Sequence, residues 1–387
     1  MQRTFDEVNE RIKSGKAVAV NAEEFVAMAR EKGIKNAAQE VDVVTCATFG
    51  PMCSSGAFLN FGHSEPPIRM GEIWLNDVQA YGGLAAVDTY IGATQPSESQ
   101  GNEYGGAHVI QDLVDGKAVH LRAKSQGTAC YPRKEIDTWI TLKDLNQAYI
   151  YNPRNAYQNY SAATNTTERP IYTYMGVLLP RMSNITYSTS GELSPLLKDP
   201  ELRTIGVGTR IFLGGAIGYV AWEGTQCILN SCETDDGQKW HGGATLAVIG
   251  NLKEMSSKYL RAAVYEKYGV SMFVGIGVAI PVLDEDLAAK LAKGNDELYT
   301  RIYDYGVPHR SRPNFGWVSY AQLRSGSVTV NGNTIPTAPL SSLKVAREIA
   351  GNLTQMIRKG EFLLQKPVVQ LPMDGKFTAL ETKNPEG

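Results

Sequence analysis

Several features are scarce in this sequence of 387 residues, and each scarcity excludes a class of protein. Five cysteines are too few, and odd in number, for the disulfide framework of a secreted domain. The 38 basic and 40 acidic residues leave a net charge of −2, and no Lys/Arg block would attract nucleic acid. No apolar run approaches the roughly 20 residues of a membrane-spanning helix. We therefore expect a soluble cytosolic protein that binds neither nucleic acid nor membrane and keeps its cysteines as thiols.

Motifs for metals and nucleotides are also missing. The five histidines show neither H-x-x-x-H nor H-E-x-x-H spacing, so the sequence indicates no zinc enzyme. The glycine-dense segments 206–218 and 275–278 lack the third glycine of G-x-G-x-x-G, which favours close packing over nucleotide binding. Cys227 and Cys232 form a C-x4-C in a polar stretch, without the four-ligand spacing of a metal or cluster site, and a solvated loop is favoured there. We expect this chain to bind no metal and no cofactor.

The first third of the chain alternates helix and strand. An apolar face on residues 5–12 predicts a helix, and Asn21 followed by Glu24 predicts the capped start of another. Apolar runs at 17–20 and 41–45 flank this second helix, which predicts a β-α-β unit. The predicted fold class is α/β: a mixed, partly parallel sheet with flanking helices and long glycine-rich active-site loops.

The remainder mixes strand and helix patterns. A helix is predicted over 256–268, a hairpin around Asn331-Gly332 and a last helix over 341–358. Strands are predicted over 171–179, 204–213, 219–222, 245–249 and 272–283. Because no linker divides the chain, we predict one catalytic domain over residues 1–372, with a strand-rich subdomain inserted at about 170–250 and a tail over 373–387.

Two cysteines stand out because they fall in glycine-rich loops, the places where α/β proteins carry their chemistry. Small residues that permit close approach of a ligand flank both Cys53 and Cys130. Arg133 and Lys134 follow Cys130, and nearby cations favour the reactive thiolate. From the residues alone, a reactive thiol and a buried structural thiol are equally supported. The stretches read as loops are 46–62, 95–106, 124–133 and 152–167.

Other side chains are weaker candidates. Cys46 ends an apolar run and is interpreted as part of the core. His63 lies close in sequence to Cys53 and is the best candidate acid/base, although a buried, hydrogen-bonded histidine is the commoner reading. Arg210 or Arg133 could hold a carboxylate through two parallel hydrogen bonds.

Long stretches of the sequence match a known family. They are TFGPMCSSGAFLNFGHSEPPIRM, WLNDVQAYGGLAAVDTYIGATQ, YGGAHVIQDLVDGKAVHLRA, CYPRKEIDTWITLKDLNQA, NPRNAYQNYSAATN, TIGVGTRIFLGGAIGYV, DYGVPHRSRP and PTAPLSSL. On these stretches the chain resembles the homocysteine-biosynthesis family of anaerobic archaea and bacteria, whose characterised activity is L-aspartate semialdehyde sulfurtransferase. The resemblance implies that Cys130, in CYPRK, carries a persulfide, and that Cys53, in MCSSGA, is its redox partner.

The resemblance also implies partners. Many family members carry a pair of C-terminal CBS modules, which this sequence lacks, so regulation by an adenosyl ligand is not expected. A companion ferredoxin-type protein is typical of the family, and this chain has no four-cysteine cluster motif. We therefore expect electrons to come from an external donor, a ferredoxin-type iron–sulfur protein.

The implied reaction joins L-aspartate semialdehyde and sulfide. Turning an aldehyde and hydrogen sulfide into a primary thiol and water consumes two electrons, so a reductant is obligatory. We expect sulfide to attack a Cys53–Cys130 disulfide at the Cys130 sulfur, the persulfide to add to the aldehyde, and external reduction to reset the pair. Two rival classes stay open: a cysteine-nucleophile hydrolase or acyltransferase without redox chemistry, and a non-catalytic persulfide carrier. The oligomeric state also stays open, with a homo-oligomer among the options.

Overall fold

The fold is seen in a computed structural model, which describes residues 2–154, 160–225, 230–233, 239–242, 245–309, 311–372, 378 and 380–381. The predicted α/β class is confirmed, because helices flank a large sheet that contains parallel and antiparallel pairs. In this described part of the chain, no helix is long and apolar enough to cross a membrane.

The helices begin where the sequence supplies a cap. The predicted capping box of Asn21 and Glu24 is present, and Thr4 with Glu7 forms the same motif on the first helix. The last helix buries its apolar stripe against the sheet, as predicted. The helices of the described residues are α1 (Phe5–Lys13), α2 (Ala22–Lys32), α3 (Ile34–Glu40), α4 (Gly106–Val114), α5 (Pro195–Lys198), α6 (Glu285–Leu291), α7 (Tyr320–Arg324) and α8 (Leu343–Arg358).

The strands are short apart from two longer ones, Val43–Pro51 and Gly269–Pro281. They are β1 (Ala19–Asn21), β2 (Val43–Pro51), β3 (Gly56–Asn60), β4 (Glu72–Leu75), β5 (Val78–Tyr81), β6 (Asp88–Gly92), β7 (Pro96–Ser97), β8 (Gly101–Gly105), β9 (Val119–Lys124), β10 (Glu135–Ile140), β11 (Gln147–Asn152), β12 (Ala162–Thr164), β13 (Ile171–Thr173), β14 (Gly176–Leu178), β15 (Ile185–Tyr187), β16 (Arg210–Leu213), β17 (Ala216–Glu223), β18 (Asn230–Glu233), β19 (Lys239–Gly242), β20 (Leu246–Asn251), β21 (Leu260–Tyr265), β22 (Gly269–Pro281), β23 (Tyr299–Asp304), β24 (Asn314–Ser319), β25 (Ser327–Val330) and β26 (Asn333–Pro339).

The large sheet starts with the predicted β-α-β unit. Strands β1 and β2 are parallel, with Ala19 opposite Val43, and helices α2 and α3 connect them. The strand order is β1-β2-β22-β16-β17-β20-β11-β3-β6-β5-β4-β9-β10, with β7, β8 and β21 attached at the side. Helix α8 packs on the neighbouring strands β2 and β22, where Gly275 and Gly277 leave room for Ile349. These glycines therefore serve close packing, as the sequence favoured.

A second sheet has the order β24-β23-β12-β15-β26-β25 and its own apolar core. Its β25–β26 hairpin is the one predicted from Asn331-Gly332. Both turn residues adopt positive φ angles, 51° and 80°, as a two-residue hairpin turn of this type requires. The segments of this sheet come from 162–187 and 299–339, whereas β16, β17 and β20 belong to the large sheet.

The predicted helix over 256–268 is wrong. Residues 260–265 form β21, which pairs along its whole length with β22, from Leu260 opposite Val274 to Tyr265 opposite Gly269. Ala262 and Ala263 favour a helix locally, but pairing with a long buried strand outweighs such a weak preference.

The predicted loop boundaries also need correction. Strand β2 continues through Pro51 and β3 starts at Gly56, so only residues 52–55 of the stretch 46–62 form a turn between strands. Every residue of β2 is buried, and a strand buried on both faces shows no polar alternation in its sequence. Residues 95–106 likewise contain β7, β8 and the start of α4, and within 204–213 the strand begins only at Arg210.

Candidate functional site

Cys53 lies in the tight turn that joins β2 to β3. The Met52 amide donates to the Met272 carbonyl at 2.7 Å, and the Ser55 amide donates to the Met52 carbonyl at 3.0 Å. The Ser55 hydroxyl accepts a hydrogen bond of 3.0 Å from the buried Asn152 amide. These bonds fix the half-buried Cys53 beyond the end of β2 and beside β22.

The Cys53 thiol has a defined hydrogen-bond partner. Its Sγ lies 3.1 Å from the Ser271 Oγ on β22. Burial raises the pKa of the Cys53 thiol, because the thiolate loses solvation, and the hydrogen bond from Ser271 lowers that pKa in part. The turn therefore holds a thiol that needs a further hydrogen-bond donor to react as a thiolate.

Two tyrosines from the β21–β22 hairpin face this thiol. Ala263 pairs with Ser271, so Tyr265, two residues further along β21, lies on the same face of the hairpin as Ser271. Burial, and then the charge of Cys53, raise the pKa of Tyr265 and bring that of Tyr268 to about 12. The Tyr265 hydroxyl is buried without a hydrogen-bond partner among the residues that the structure describes. It is therefore a free donor beside Cys53.

A chain of rings leads away from Cys53 to an arginine. The Tyr268 ring lies 6.3 Å from that of Tyr174, and the hydroxyls of Tyr174 and Tyr305 are 3.0 Å apart. The guanidinium of Arg312 stacks on Tyr305 at 3.9 Å from the ring centre. Together with Cys53 and Ser271, these side chains form what we call the tyrosine site: Cys53, Tyr174, Tyr265, Tyr268, Ser271, Tyr305 and Arg312.

Cys130 has a different environment, on an exposed loop between β9 and β10. Thr128 and Tyr131 exchange backbone hydrogen bonds of 2.9 and 3.1 Å across a turn that contains Cys130. The exposed His63 stacks on Tyr131, with ring centres 6.0 Å apart. Arg133 donates to the main-chain carbonyls of residues 65 and 66. The structure therefore places His63 and Arg133 beside Cys130.

The structure does not bring the two cysteines together. Strand β3 begins three residues after Cys53 and ends at Asn60, where the chain continues to His63. Because His63 stacks on Tyr131, the Cys130 loop lies beyond the last residue of β3, and Cys53 lies before the first. The five residues of β3 span about 13 Å at roughly 3.3 Å per residue. Both thiols are free.

Arg210 lies apart from both cysteines. Phe212 pairs with Gly277, which places Arg210 on β16 level with Ala279 of the neighbouring β22. Ser271 is eight residues away along that strand, or about 26 Å. The Arg210 guanidinium stacks on Phe362 at 5.0 Å from the ring centre.

The remaining cysteines are buried or outside the described residues. Cys46 is fully buried in β2, and burial raises its pKa to about 12, which confirms the core interpretation. Cys227 lies outside the described residues, and so does the side chain of Cys232 on β18. Within the described ranges, no group of His, Cys, Asp and Glu side chains could hold a metal ion.

Sequence reasoning singled out Cys53, Cys130 and His63, of which Cys53 lies in the tyrosine site, and it named none of the other members of that site. Ser271 and Tyr265 were hidden because β21 looked helical, so its pairing with β22 could not be read. Arg312 lies in the stretch DYGVPHRSRP, where an aromatic residue among several cations was the available signal.

Comparison with known proteins gives the family. Residues 17–364 match the family described as "Homocysteine biosynthesis enzyme, sulfur-incorporation". A protein of Methanosarcina acetivorans named L-aspartate semialdehyde sulfurtransferase is 50% identical over 98% of this chain and 74% of its own length. A protein of Methanocaldococcus jannaschii with the same name is 52% identical over 95% of this chain and 73% of its own length. No solved structure matches significantly. The chain belongs to the family of sulfur-incorporating homocysteine biosynthesis enzymes.

Proposed function

We propose that this chain is an L-aspartate semialdehyde sulfurtransferase, which converts L-aspartate semialdehyde, sulfide and a reductant into L-homocysteine. The names of its two relatives support the activity. The observation that carries the proposal is the arrangement around the Cys53 thiol, which lies 3.1 Å from the Ser271 hydroxyl. The Tyr265 hydroxyl faces this thiol and has no hydrogen-bond partner among the described residues. Such a donor can polarise an aldehyde or stabilise an oxyanion next to a sulfur nucleophile.

The reaction proceeds through a persulfide on Cys130. Sulfide attacks a Cys53–Cys130 disulfide at the Cys130 sulfur, giving a Cys130 persulfide and the Cys53 thiol. The terminal sulfur adds to the aldehyde carbon. The Cys53 thiol attacks the Cys130 sulfur and breaks its bond to the substrate sulfur, which restores the Cys53–Cys130 disulfide and releases a thiohemiacetal, HS–CH(OH)–R. Two external electrons and two protons then break the carbon–oxygen bond of the thiohemiacetal and give the primary thiol of homocysteine and water, so that atoms and electrons balance. Cys53 is the redox partner in this cycle.

The two cysteines differ in exposure, and their proposed roles differ accordingly. Cys130 is accessible to sulfide and to a protein partner, whereas Cys53 lies in the partly enclosed tyrosine site where the aldehyde binds. Cys130 is six residues beyond the end of β9, and an extended chain of that length reaches about 20 Å. The cycle therefore requires the Cys130 loop to move toward Cys53, with loss of the contacts that Arg133 makes to residues 65 and 66.

Acid–base and electron-transfer roles follow the same division. His63 stacks beside the Cys130 loop and moves protons for the Cys130 sulfur, while Tyr265 donates to the aldehyde oxygen at Cys53. Arg133 holds the loop through main-chain carbonyls, so it is a positioning residue. The chain itself binds no cofactor, and a ferredoxin-type iron–sulfur protein delivers the electrons at the exposed loop.

The test is homocysteine formation by the purified protein with L-aspartate semialdehyde, sulfide and a chemical reductant, together with intact-mass analysis after sulfide treatment. We expect turnover and a mass gain of one sulfur on Cys130. Release of a hydrolysis product without reductant, unaffected by Cys53→Ala, would instead identify a cysteine-nucleophile hydrolase, for which the His63 stack beside Cys130 is the favourable observation. A stable persulfide that never reaches the aldehyde would identify a carrier.

The loop movement has a separate test. Mild oxidation with diamide, followed by peptide mapping without reduction, should give a Cys53–Cys130 disulfide within one chain, and Cys130→Ser should abolish it. If no such disulfide forms while both thiols still react with maleimide, the loop does not reach Cys53 and the disulfide cycle is wrong.

A further inference from the structure

Among the residues that the structure describes, the half-buried Arg312 has no anionic partner. Its planar guanidinium stacks on Tyr305, which leaves the hydrogen-bonding edge unused. The Nε atom is buried, and no hydrogen bond or ion pair to Arg312 is present within the described residues. A buried polar group without a partner destabilises the folded protein, and a charged one does so more strongly. An arginine kept in this state is explained when a bound molecule supplies the acceptor.

A series of ring contacts connects Arg312 to the surroundings of Cys53. Arg312 stacks on Tyr305, whose hydroxyl contacts that of Tyr174, and the Tyr174 ring contacts the Tyr268 ring. Tyr268 in turn is close enough to Cys53 for the thiolate charge to raise its pKa. The rings of Tyr305, Tyr174 and Tyr268 thus connect the Arg312 cation to the neighbourhood of the Cys53 thiol.

We propose that Arg312 binds the α-carboxylate of the amino-acid substrate in the tyrosine site, with the aldehyde directed toward Cys53. This inference rests on the proposed function. An arginine fork matches the two oxygens of a carboxylate, and stacking on a ring fixes the orientation of the fork before the ligand arrives. The substrate carries both a carboxylate and an aldehyde, and the tyrosine site contains both a cation and a thiol.

Two arginines that the sequence had suggested for this role are placed differently. The guanidinium of Arg133 donates to two main-chain carbonyls beside Cys130. Arg210 lies about 26 Å along β22 from Ser271. Neither belongs to the tyrosine site, whereas Arg312 does.

The experiment compares Arg312→Met and Arg312→Lys with wild type in the sulfide and reductant assay. Loss of two charge-assisted hydrogen bonds predicts a KM for L-aspartate semialdehyde about tenfold to a hundredfold higher in Arg312→Met, with a smaller change in kcat. Arg312→Lys should recover part of this loss. With 3-aminopropanal, which lacks the carboxylate, wild type and Arg312→Met should have equal kcat/KM.

Arg301→Met is the matched control, because Arg301 on β23 stacks on Trp317 of the neighbouring β24 at 4.4 Å and is outside the tyrosine site. It should leave KM within about twofold, the size expected for a substitution remote from the ligand. Circular dichroism of each variant checks the fold. An unchanged KM in a folded Arg312→Met would overturn the inference and leave the proposed function intact.

If wild type makes no homocysteine, the proposed function fails, and binding then tests Arg312 alone. L-Homoserine has the same carbon chain and carboxylate but cannot accept sulfur. Calorimetric binding of L-homoserine to wild type that is lost in Arg312→Met supports the carboxylate site. Equal binding to both proteins, or none to wild type, contradicts it.

Discussion

The two cysteine regions differ in how the fold holds them. Cys53 lies in a four-residue turn between buried strands, with a serine at 3.1 Å and tyrosines around it. Cys130 lies in a turn of an exposed loop, beside a stacked histidine and an arginine that binds main-chain carbonyls. A rigid, partly buried thiol suits a step that needs fixed geometry and little water, whereas an exposed one suits exchange with sulfide or a protein partner. The difference supports the proposed roles, with reaction at Cys53 and sulfur delivery at Cys130.

The largest expected effects come from removing either thiol. Cys53→Ala and Cys130→Ala should each lower homocysteine formation by about a thousandfold or more, since each breaks the same redox cycle. The double variant should be no worse than either single one, because residues that act as one unit are not additive.

The comparison itself is tested by which variant still accepts sulfur. Cys53→Ala should still acquire a persulfide on Cys130 from an external persulfide donor, as seen by intact mass. Activity of Cys130→Ala above a few per cent of wild type would show that Cys53 works without delivery.

A smaller effect is expected at the free donor of the tyrosine site. Tyr265→Phe keeps the ring and removes only the hydroxyl, so we expect a drop of about a hundredfold in kcat, the loss typical for one oxyanion donor. The control is Tyr219→Phe, which removes the hydroxyl of an exposed ring on β17. Equal small effects of the two changes would remove Tyr265 from the mechanism.

The sequence predicted the two cysteine loops better than the side chains that surround Cys53. The loops around Cys53 and Cys130 could be recognised because small residues crowd each thiol locally. Ser271, Tyr265 and Arg312 could not, since they reach Cys53 only through pairing of β21 with β22 and through ring contacts between distant segments. The opposite placement of the cysteines follows from the order of β3 and its neighbours in the sheet, which depends on tertiary packing that no local pattern encodes.

Thiol reactivity should separate the cysteines by a moderate factor. Limiting iodoacetamide at neutral pH should label the exposed Cys130 first, Cys53 more slowly and Cys46 last.

In a Cys130→Ala background, Ser271→Ala removes the donor that lowers the pKa of Cys53. The Cys53 alkylation rate should then fall severalfold, and its pH midpoint should move upward. A midpoint that moves down would mean that Ser271 accepts from the thiol and favours its neutral form.

The smallest effect on activity is expected at the cysteine that belongs to neither region. Cys46 is fully buried, and burial raises its pKa from 9.0 to about 12. Its neutral form is favoured in the folded state, so the free energy of unfolding should hold below about pH 9 and fall as the pH rises toward 12, where the unfolded chain ionises first. Cys46→Ala should flatten this alkaline decline of the free energy of unfolding, as measured by chemical unfolding at a series of pH values. The lost packing should cost about 1 kcal/mol at neutral pH.

The triple variant Cys46→Ala, Cys227→Ser, Cys232→Ser should keep most of its turnover. A triple variant that loses turnover together with a bound metal would assign the C-x4-C pair a part in electron transfer, and would end the division of labour between Cys53 and Cys130 alone.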